Sequence, residues 1–284
     1  MRIITVLSKK EMDHEPILAT IKAHTMINES QKLPKIAFSH ALAIKVETVD
    51  EALAQELYAL SDSLAIDIII QSPESRKVQL AVFDMDSTLI QAECIDLIAE
   101  SVGVGDQVSA ITEAAMRGEL DFTQSLHERV KLLKGVSTDI YSKLIATIEY
   151  MPGAKELAAG LKLKKVATAV LSGGFVPIAR WVQSTLQFDH AHANTLGEQN
   201  SMLTGTTEGP IVDGSRKADL LQTIAQERGI PLSNVLAVGD GSNDLPMMSV
   251  AGFGVAFKAK PLVQQKAPSR LNSGNLSDIL YLID

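Results

Sequence analysis

The order of apolar and polar positions divides the chain near residue 77. Before that point, Arg2 to Leu7 is rich in β-branched residues and reads as a strand. His14 to His24 has helical spacing through Ile17, Leu18 and Ile21. Pro34 to Val46 holds one or two strands, and Val49 to Leu60 repeats Leu53, Leu57 and Leu60 at helical spacing. Ala65 to Ile70 is an apolar run suited to a last strand. The resulting order, β-α-β-β-α-β, is that of a split βαβ unit, so residues 1–77 are expected to form a small α+β module. Ser72, Pro73, Glu74 and Ser75 make a polar joint at its C-terminal end.

From residue 78 the pattern changes. Leu80 to Phe83 is a short apolar run that stops at Asp84, as expected of a central strand buried on both faces of a parallel sheet. Helical spacing then dominates from Ala92 to about Tyr150, through Ile95, Leu97 and Ile98, then Val108, Ile111, Ala115 and Met116, then Leu126, Val130 and Leu133. This segment, about 95–150, reads as a helical cap inserted after the first strand, and Met151-Pro152-Gly153 ends it. Strand and helix patterns alternate afterwards. Helices are expected over Gly153–Lys162, Phe175–Leu186, Arg216–Gly229 and Leu276–Leu282, and strands over Val166–Leu171, Asn234–Val238 and Gly252–Phe257. A hairpin is expected within Asn194–Gly205. Such alternation implies a doubly wound, largely parallel α/β sheet over 78–284.

Composition narrows the function classes. With 46% hydrophobic and 21% charged residues the chain is globular, and its net charge of −8 argues against nucleic acid or an anionic membrane as partner. Cys94 is the single cysteine, which excludes an intrachain disulfide and fits a reducing compartment. The apolar stretch at the N-terminus is too short for a signal peptide, so a cytoplasmic protein is expected.

Candidate chemistry sits at the strand ends, where open α/β sheets place their ligands. Asp84 and Asp86 close the first strand of the sheet. A calcium loop is a poor reading of Asp84-x-Asp86, because Thr88 and Leu89 occupy places that want an oxygen ligand and a glycine. Ser172-Gly173-Gly174 lies at a strand-to-helix turn, which is either a phosphate cradle or an ordinary helix cap. Lys217 opens a helix, where the macrodipole disfavours a cation, although a surface lysine is the default reading. Gly239-Asp240-Gly241-Ser242-Asn243-Asp244 puts two carboxylates and an amide in a glycine-rich loop beyond a strand.

Taken in order, Asp84-x-Asp86, Ser172, Lys217 and Gly239-Asp240-x-x-x-Asp244 resemble the motifs of the haloacid dehalogenase-like phosphohydrolase superfamily. Within it, Asp84-Met85-Asp86-Ser87-Thr88, Glu93, Ser172-Gly173-Gly174-Phe175 and the loop from Gly239 to Asp244 look like the phosphoserine phosphatase family. The resemblance covers residues 78 to about 270. It implies a Rossmann-like core with a helical cap and Mg²⁺-dependent hydrolysis of O-phospho-L-serine, the last step of L-serine biosynthesis. It implies Asp84 as nucleophile and Asp86 as general acid and base. It implies Mg²⁺ on the carboxylates of Asp84 and Asp240 and the backbone carbonyl of Asp86, with Asn243 and Asp244 behind them. Ser172, Gly173 and Lys217 would bind the phosphoryl group, Glu93 the substrate ammonium and Arg129 its carboxylate, with Met116 and Phe122 lining the pocket. A metal is what such chemistry needs, since two unit charges at roughly 4 Å repel by about 4 kcal/mol at an effective dielectric of about 20. Residues 1–77 lie outside this resemblance. In outline they are similar to ferredoxin-like ACT domains, and such a module serves dimerisation as readily as ligand binding. The rival readings are a phosphotransferase to another alcohol such as homoserine, an amino-acid sensor without catalysis, and a metal-dependent glycosyltransferase. The last leaves Lys217 and the Asp240 loop unused.

Overall fold

The computed structural model describes residues 1–35 and 38–284. Ile36 and Ala37, inside the stretch expected to hold one or two strands, lie outside the described residues. The first sheet is antiparallel, in the order β2-β3-β1-β4, from β1 (Arg2–Ser8), β2 (Ile27–Leu33), β3 (His40–Val46) and β4 (Asp67–Gln71). Helices α1 (Glu15–His24) and α2 (Glu51–Leu64) cover one face. Ile4 and Val6 of β1 meet Ile17, Ile21, Leu53 and Leu57 there. The side chain of Asp50 caps α2 by accepting the Leu53 N–H at 2.8 Å. The second strand departs from expectation, for β2 precedes Pro34. Its central residues Asn28 to Lys32 are all exposed, so this edge strand carries no apolar alternation to betray it.

The other face of the first sheet is not left to solvent. Leu7, Ala41 and Ile69 join the large core built on the second sheet. That sheet has the order β11-β10-β9-β5-β6-β7-β8. Its centre is β5 (Leu80–Phe83), with all four residues buried and parallel partners on both sides, β6 (Ala167–Phe175) and β9 (Val235–Gly239). Beyond β9 lie β10 (Phe253–Phe257) and β11 (Ser269–Leu271), also parallel. Only β7 (His190–Gln199) and β8 (Met202–Glu208) form an antiparallel hairpin. The sequence pattern places this hairpin but not its length.

Four helices stand between β5 and the next core helix: α3 (Cys94–Ser101), α4 (Gly105–Met116), α5 (Phe122–Lys131) and α6 (Ile140–Thr147). They form the helical insertion over the strand ends. A reciprocal capping box of Asp121 and Gln124 sets the start of α5 and hence the direction of Phe122 and Arg129. Core helices α7 (Ala154–Leu163), α8 (Val176–Leu186), α9 (Gly214–Glu227) and the short α10 (Leu245–Val250) and α11 (Pro261–Lys266) complete the second unit. The segment Leu276–Leu282, expected as a helix, is a buried 3-10 turn.

This last segment and the loop before it hold the two sheets together. Asp67 at the start of β4 accepts the backbone N–H groups of Asn272, Ser273 and Gly274 at 2.7 to 2.9 Å. Asp278 accepts both the N–H and the hydroxyl of Ser39, at 3.1 and 2.7 Å, and Gln71 donates to the Leu282 carbonyl. Three peptide donors on one buried carboxylate are costly to strand. Asp67→Ala is therefore expected to lower the unfolding free energy by about 2–4 kcal/mol. Urea denaturation checks this; a midpoint that does not move would mean that these bonds do not secure the contact.

Candidate active site

The site begins where β5 runs out. Asp84 leaves the strand with its N–H still bonded to the Val238 carbonyl at 2.9 Å. The chain then turns so tightly that the N–H groups of Thr88, Leu89 and Ile90 all point at the Met85 carbonyl, at 2.8 to 3.2 Å. Ser87 takes a left-handed conformation in this turn, with φ of 56°. That costs on the order of 1 kcal/mol for a residue with a Cβ, and its contacts hold it there. Its N–H donates to the Ala92 carbonyl at 3.1 Å and its hydroxyl to Glu93 Oε1 at 2.7 Å. The strained turn thus fixes Glu93 beside the acidic pair.

Behind Asp84 lies Lys217, a core residue and not the surface lysine that composition favours. It is 0% exposed, and its Nζ is 2.7 Å from both Asp84 Oδ1 and Asp244 Oδ1. Asp244 is held from its other side by the Gly241 N–H at 3.0 Å, and Thr88 Oγ1 donates to Asp240 Oδ1 at 3.2 Å. Burial works against the charge on Lys217, but Asp244 and Asp84 outweigh it and raise its pKa. One cation cannot satisfy the acids around it. Burial, then the neighbouring Asp244, pushes the Asp84 carboxyl well above the usual carboxylate range. Asp240 is raised to about 7 by burial and then by Asp244. Asp86 is raised to about 7 by burial and then by Glu93.

Carboxylate oxygens of Asp84, Asp240 and Asp244 all lie within 4.8 Å of one another. An all-oxygen set with surplus negative charge fits a hard divalent cation such as Mg²⁺.

The phosphate-cradle candidate is also in place. Ser172-Gly173-Gly174, expected at a strand-to-helix turn, lies within β6, where the pairing with β7 is irregular, and Ser172 does not cap α8. Ser172 is buried and its Oγ accepts the Gly174 N–H at 2.9 Å. Both glycines sit tightly against neighbouring side chains. A Cβ on Gly173 would come within 2.8 Å of the Phe122 ring, and one on Gly174 within 2.8 Å of Asp86 Oδ2. The first of these contacts shows that the insertion reaches down onto the cradle. The second shows how closely Asp86 is packed against it. Asn194 of β7 secures this irregular stretch of β6 by donating to the Gly173 carbonyl and accepting the Val212 N–H, each at 2.8 Å.

A cavity of about 230 Å³ brings these pieces together. Asp84, Asp86, Glu93, Arg129, Ser172, Gly173, Asp240 and Asn243 line it, as do Met116 and Phe122 of the insertion. Lys217 does not line it and acts from behind Asp84. Arg129 is anchored through Nε to the Ser125 carbonyl at 3.2 Å. Four contributors carry no signal that singles them out in the sequence. Asn194 braces the cradle, and Cys94 donates its S–H to Asp86 Oδ1 at 3.0 Å. Asp96 lines the cavity from α3 and Lys260 from the start of α11, beyond β10. The helical period places Asp96 one turn from Glu100 with no hint of a cavity, and nothing local marks Lys260.

Comparison with known proteins places this arrangement. The profile of haloacid dehalogenase-like hydrolases matches residues 81–249. A Schizosaccharomyces pombe protein named probable phosphoserine phosphatase is 46% identical over 225 residues, 78% of this chain and 76% of its own length. The phosphoserine phosphatase of Saccharomyces cerevisiae is 43% identical over 262 residues, 90% of this chain and 85% of its own. A crystal structure of a haloacid dehalogenase family hydrolase from Salmonella enterica serovar Typhi superposes with a TM-score of 0.91 at 29% identity. It covers 100% of this chain and 99% of its own, the N-terminal sheet included.

Proposed function

Because this chain belongs to the haloacid dehalogenase-like hydrolases, we propose that it is a phosphoserine phosphatase working through an aspartyl-phosphate on Asp84. The observation that carries the reading is the Asp84–Lys217–Asp244 group at the end of β5, opening into a cavity that also holds Glu93 and Arg129. A carboxylate oxygen of Asp84 attacks phosphorus and the ester bond to the serine oxygen breaks, with Asp86 protonating the leaving oxygen. Asp86, now a carboxylate, takes a proton from water as that water displaces Asp84 from phosphorus. Ser172 and the Gly173 amide stabilise phosphoryl oxygens that gain charge in each transition state, and Lys217 adds its positive charge from behind Asp84. Glu93 receives the substrate ammonium and Arg129 its carboxylate. Phe122, against the cradle, helps keep water from the site, while Met116 lies exposed at its rim.

Mg²⁺ would be held by the carboxylates of Asp84 and Asp240 and the carbonyl of Asp86, with Asp244 and Asn243 behind. When bound it offsets the repulsion between carboxylate and phosphate. The Asp86 side chain, bonded to the Cys94 thiol and packed against Gly174, would stay free for proton transfer while its backbone carbonyl faces the metal. We assign residues 1–77 to an N-terminal module, 78–284 to the phosphatase domain and about 95–150 to its cap. A cytoplasmic enzyme closing L-serine biosynthesis fits this chemistry, and the N-terminal module is where we place a homodimer contact. Among the described residues no helix is long and apolar enough to cross a membrane.

Phosphate release from phosphoserine, phosphothreonine, phosphohomoserine and sugar phosphates, with Mg²⁺ and with chelator, tests this function. Mg²⁺-dependent preference for phosphoserine is expected. Equal turnover across the panel would sink the substrate assignment, and turnover unaffected by chelator would sink the metal.

The acidic cluster predicts a second behaviour. Asp86 and Asp240 titrate at about 7 in the folded chain but at about 3.9 when unfolded. Between those values the folded state binds more protons, so metal-free stability falls as pH rises toward 7. A cation on Asp240 displaces its proton, so metal affinity is expected to gain roughly tenfold per pH unit below 7. The thermal shift produced by Mg²⁺ should therefore grow from pH 5.5 to pH 7.5 and vanish in Asp240→Asn. A shift independent of pH would contradict the assignment of Asp240 as ligand.

A further inference from the structure

Lys260 lines the cavity and has no part in the chemistry above. It arrives from a strand end that none of the motifs touches. β10 runs beside β9 with Ala256 opposite Gly239, so the backbone beyond β10 emerges next to Asp240. The Lys260 N–H lies 3.4 Å from the Asp240 carbonyl oxygen. The Lys260 carbonyl accepts the N–H groups of Val263 and Gln264, at 2.9 and 3.1 Å, and Pro261 opens α11. This backbone is therefore set as a helix cap, while the side chain stays exposed at the rim.

Its charge is felt inside the cavity, where it opposes the effect of burial on both Asp96 and Asp240. The lining holds five carboxylates, Asp84, Asp86, Glu93, Asp96 and Asp240, against two cations, Arg129 and Lys260. A metal ion held by Asp84 and Asp240 would compensate the acids at the phosphate end. At the amino-acid end Arg129 already lies in the field of Asp96 and Glu93. A substrate carboxylate adds one more negative charge there, and a single shared guanidinium is a weak counterpart for it.

We propose that Lys260 is the second cation for the substrate's carboxylate, acting with Arg129 to select phosphorylated amino acids. This rests on the phosphoserine reading. Lys260 thus determines specificity through substrate binding and takes no part in the bond-making steps.

The test uses the full chain with Mg²⁺ and compares Lys260→Gln and Lys260→Arg with the parent. Four quantities are read: KM and kcat for phosphoserine, Ki for L-serine, which keeps the carboxylate, and Ki for inorganic phosphate, which lacks it. In Lys260→Gln, KM for phosphoserine and Ki for L-serine are expected to rise on the order of fivefold. Both kcat and the phosphate Ki should stay within about twofold, and Lys260→Arg should restore all values. Equal rises for L-serine and phosphate would reduce Lys260 to a long-range field and overturn the assignment. So would a rise for phosphate alone, or an unchanged L-serine Ki in an enzyme that still hydrolyses phosphoserine. A parent chain that releases no phosphate from phosphoserine would instead remove the underlying reading, and this assignment with it.

Discussion

Asp84→Asn is expected to abolish phosphoserine turnover, by about 10⁴-fold or more, while leaving the fold as stable as the parent or slightly more so. The loss follows from the chemistry: an amide is not a nucleophile toward phosphorus, and no second carboxylate in the cavity stands at the strand end with Lys217 behind it. The unchanged stability follows from the charge count. Asp84, Asp240 and Asp244 crowd one another, and burial pushes Asp84 well above its ordinary range. Removing one ionisable acid relieves that crowding, and Lys217 keeps Asp244 at 2.7 Å. Steady-state assays and urea denaturation in chelator together decide the matter. A variant that lost activity only because it unfolded would not support a chemical role.

Lys217→Met should behave in the opposite way, losing both function and stability. Its ammonium is entirely buried and bridges two carboxylates that are themselves nearly or fully buried. A thioether of similar length fills the space and strands both acids, a change expected to cost about 3–5 kcal/mol. Part of that cost is avoided at low pH, where Asp84 takes up a proton, so the deficit should shrink as pH falls. Catalysis should fall by roughly 10²- to 10³-fold, the usual effect of removing one charge-stabilising donor. A Lys217→Met chain with parental stability at pH 7 would show that the buried pairings hold the carboxylates less firmly than the geometry implies.

The contrast between these two neighbours explains what can be read from the chain. Asp84 is legible because it breaks an apolar run, and a charge at the end of a fully buried strand is conspicuous in any one-dimensional pattern. Lys217 is not: on an isolated helix it looks like a solvated residue, and only resemblance to a family gives it a task. The reason is that its burial is created by β5 and the Asp240 loop, far away in sequence. Glu93 falls between these cases, because its placement depends on the strained Ser87 turn, only six residues away. Arg129 needs the three-dimensional path of α5 to reach the cavity at all.

The same distinction runs through the fold. Alternating strands and helices announce the doubly wound sheet, whose strands are apolar because they are covered on both sides. Strand β2 carries almost no apolar residues and escapes any such pattern. Lys260 escapes for a related reason: its relevance comes from the parallel registry of β10 with β9, which no local pattern encodes. Asp67 and Asp278 stand in an expected strand and an expected helix with nothing to mark them, yet they bond across more than two hundred positions.

The most direct test of the account is to trap the covalent intermediate. Enzyme mixed with phosphoserine labelled in its phosphate and quenched in acid within milliseconds should carry label on the peptide containing Asp84. The label should be stable in acid, be released by base or hydroxylamine, and be absent from Asp84→Asn. Label on a different residue, or full turnover with no labelled protein at any quench time, would contradict the assignment of Asp84 as the nucleophile.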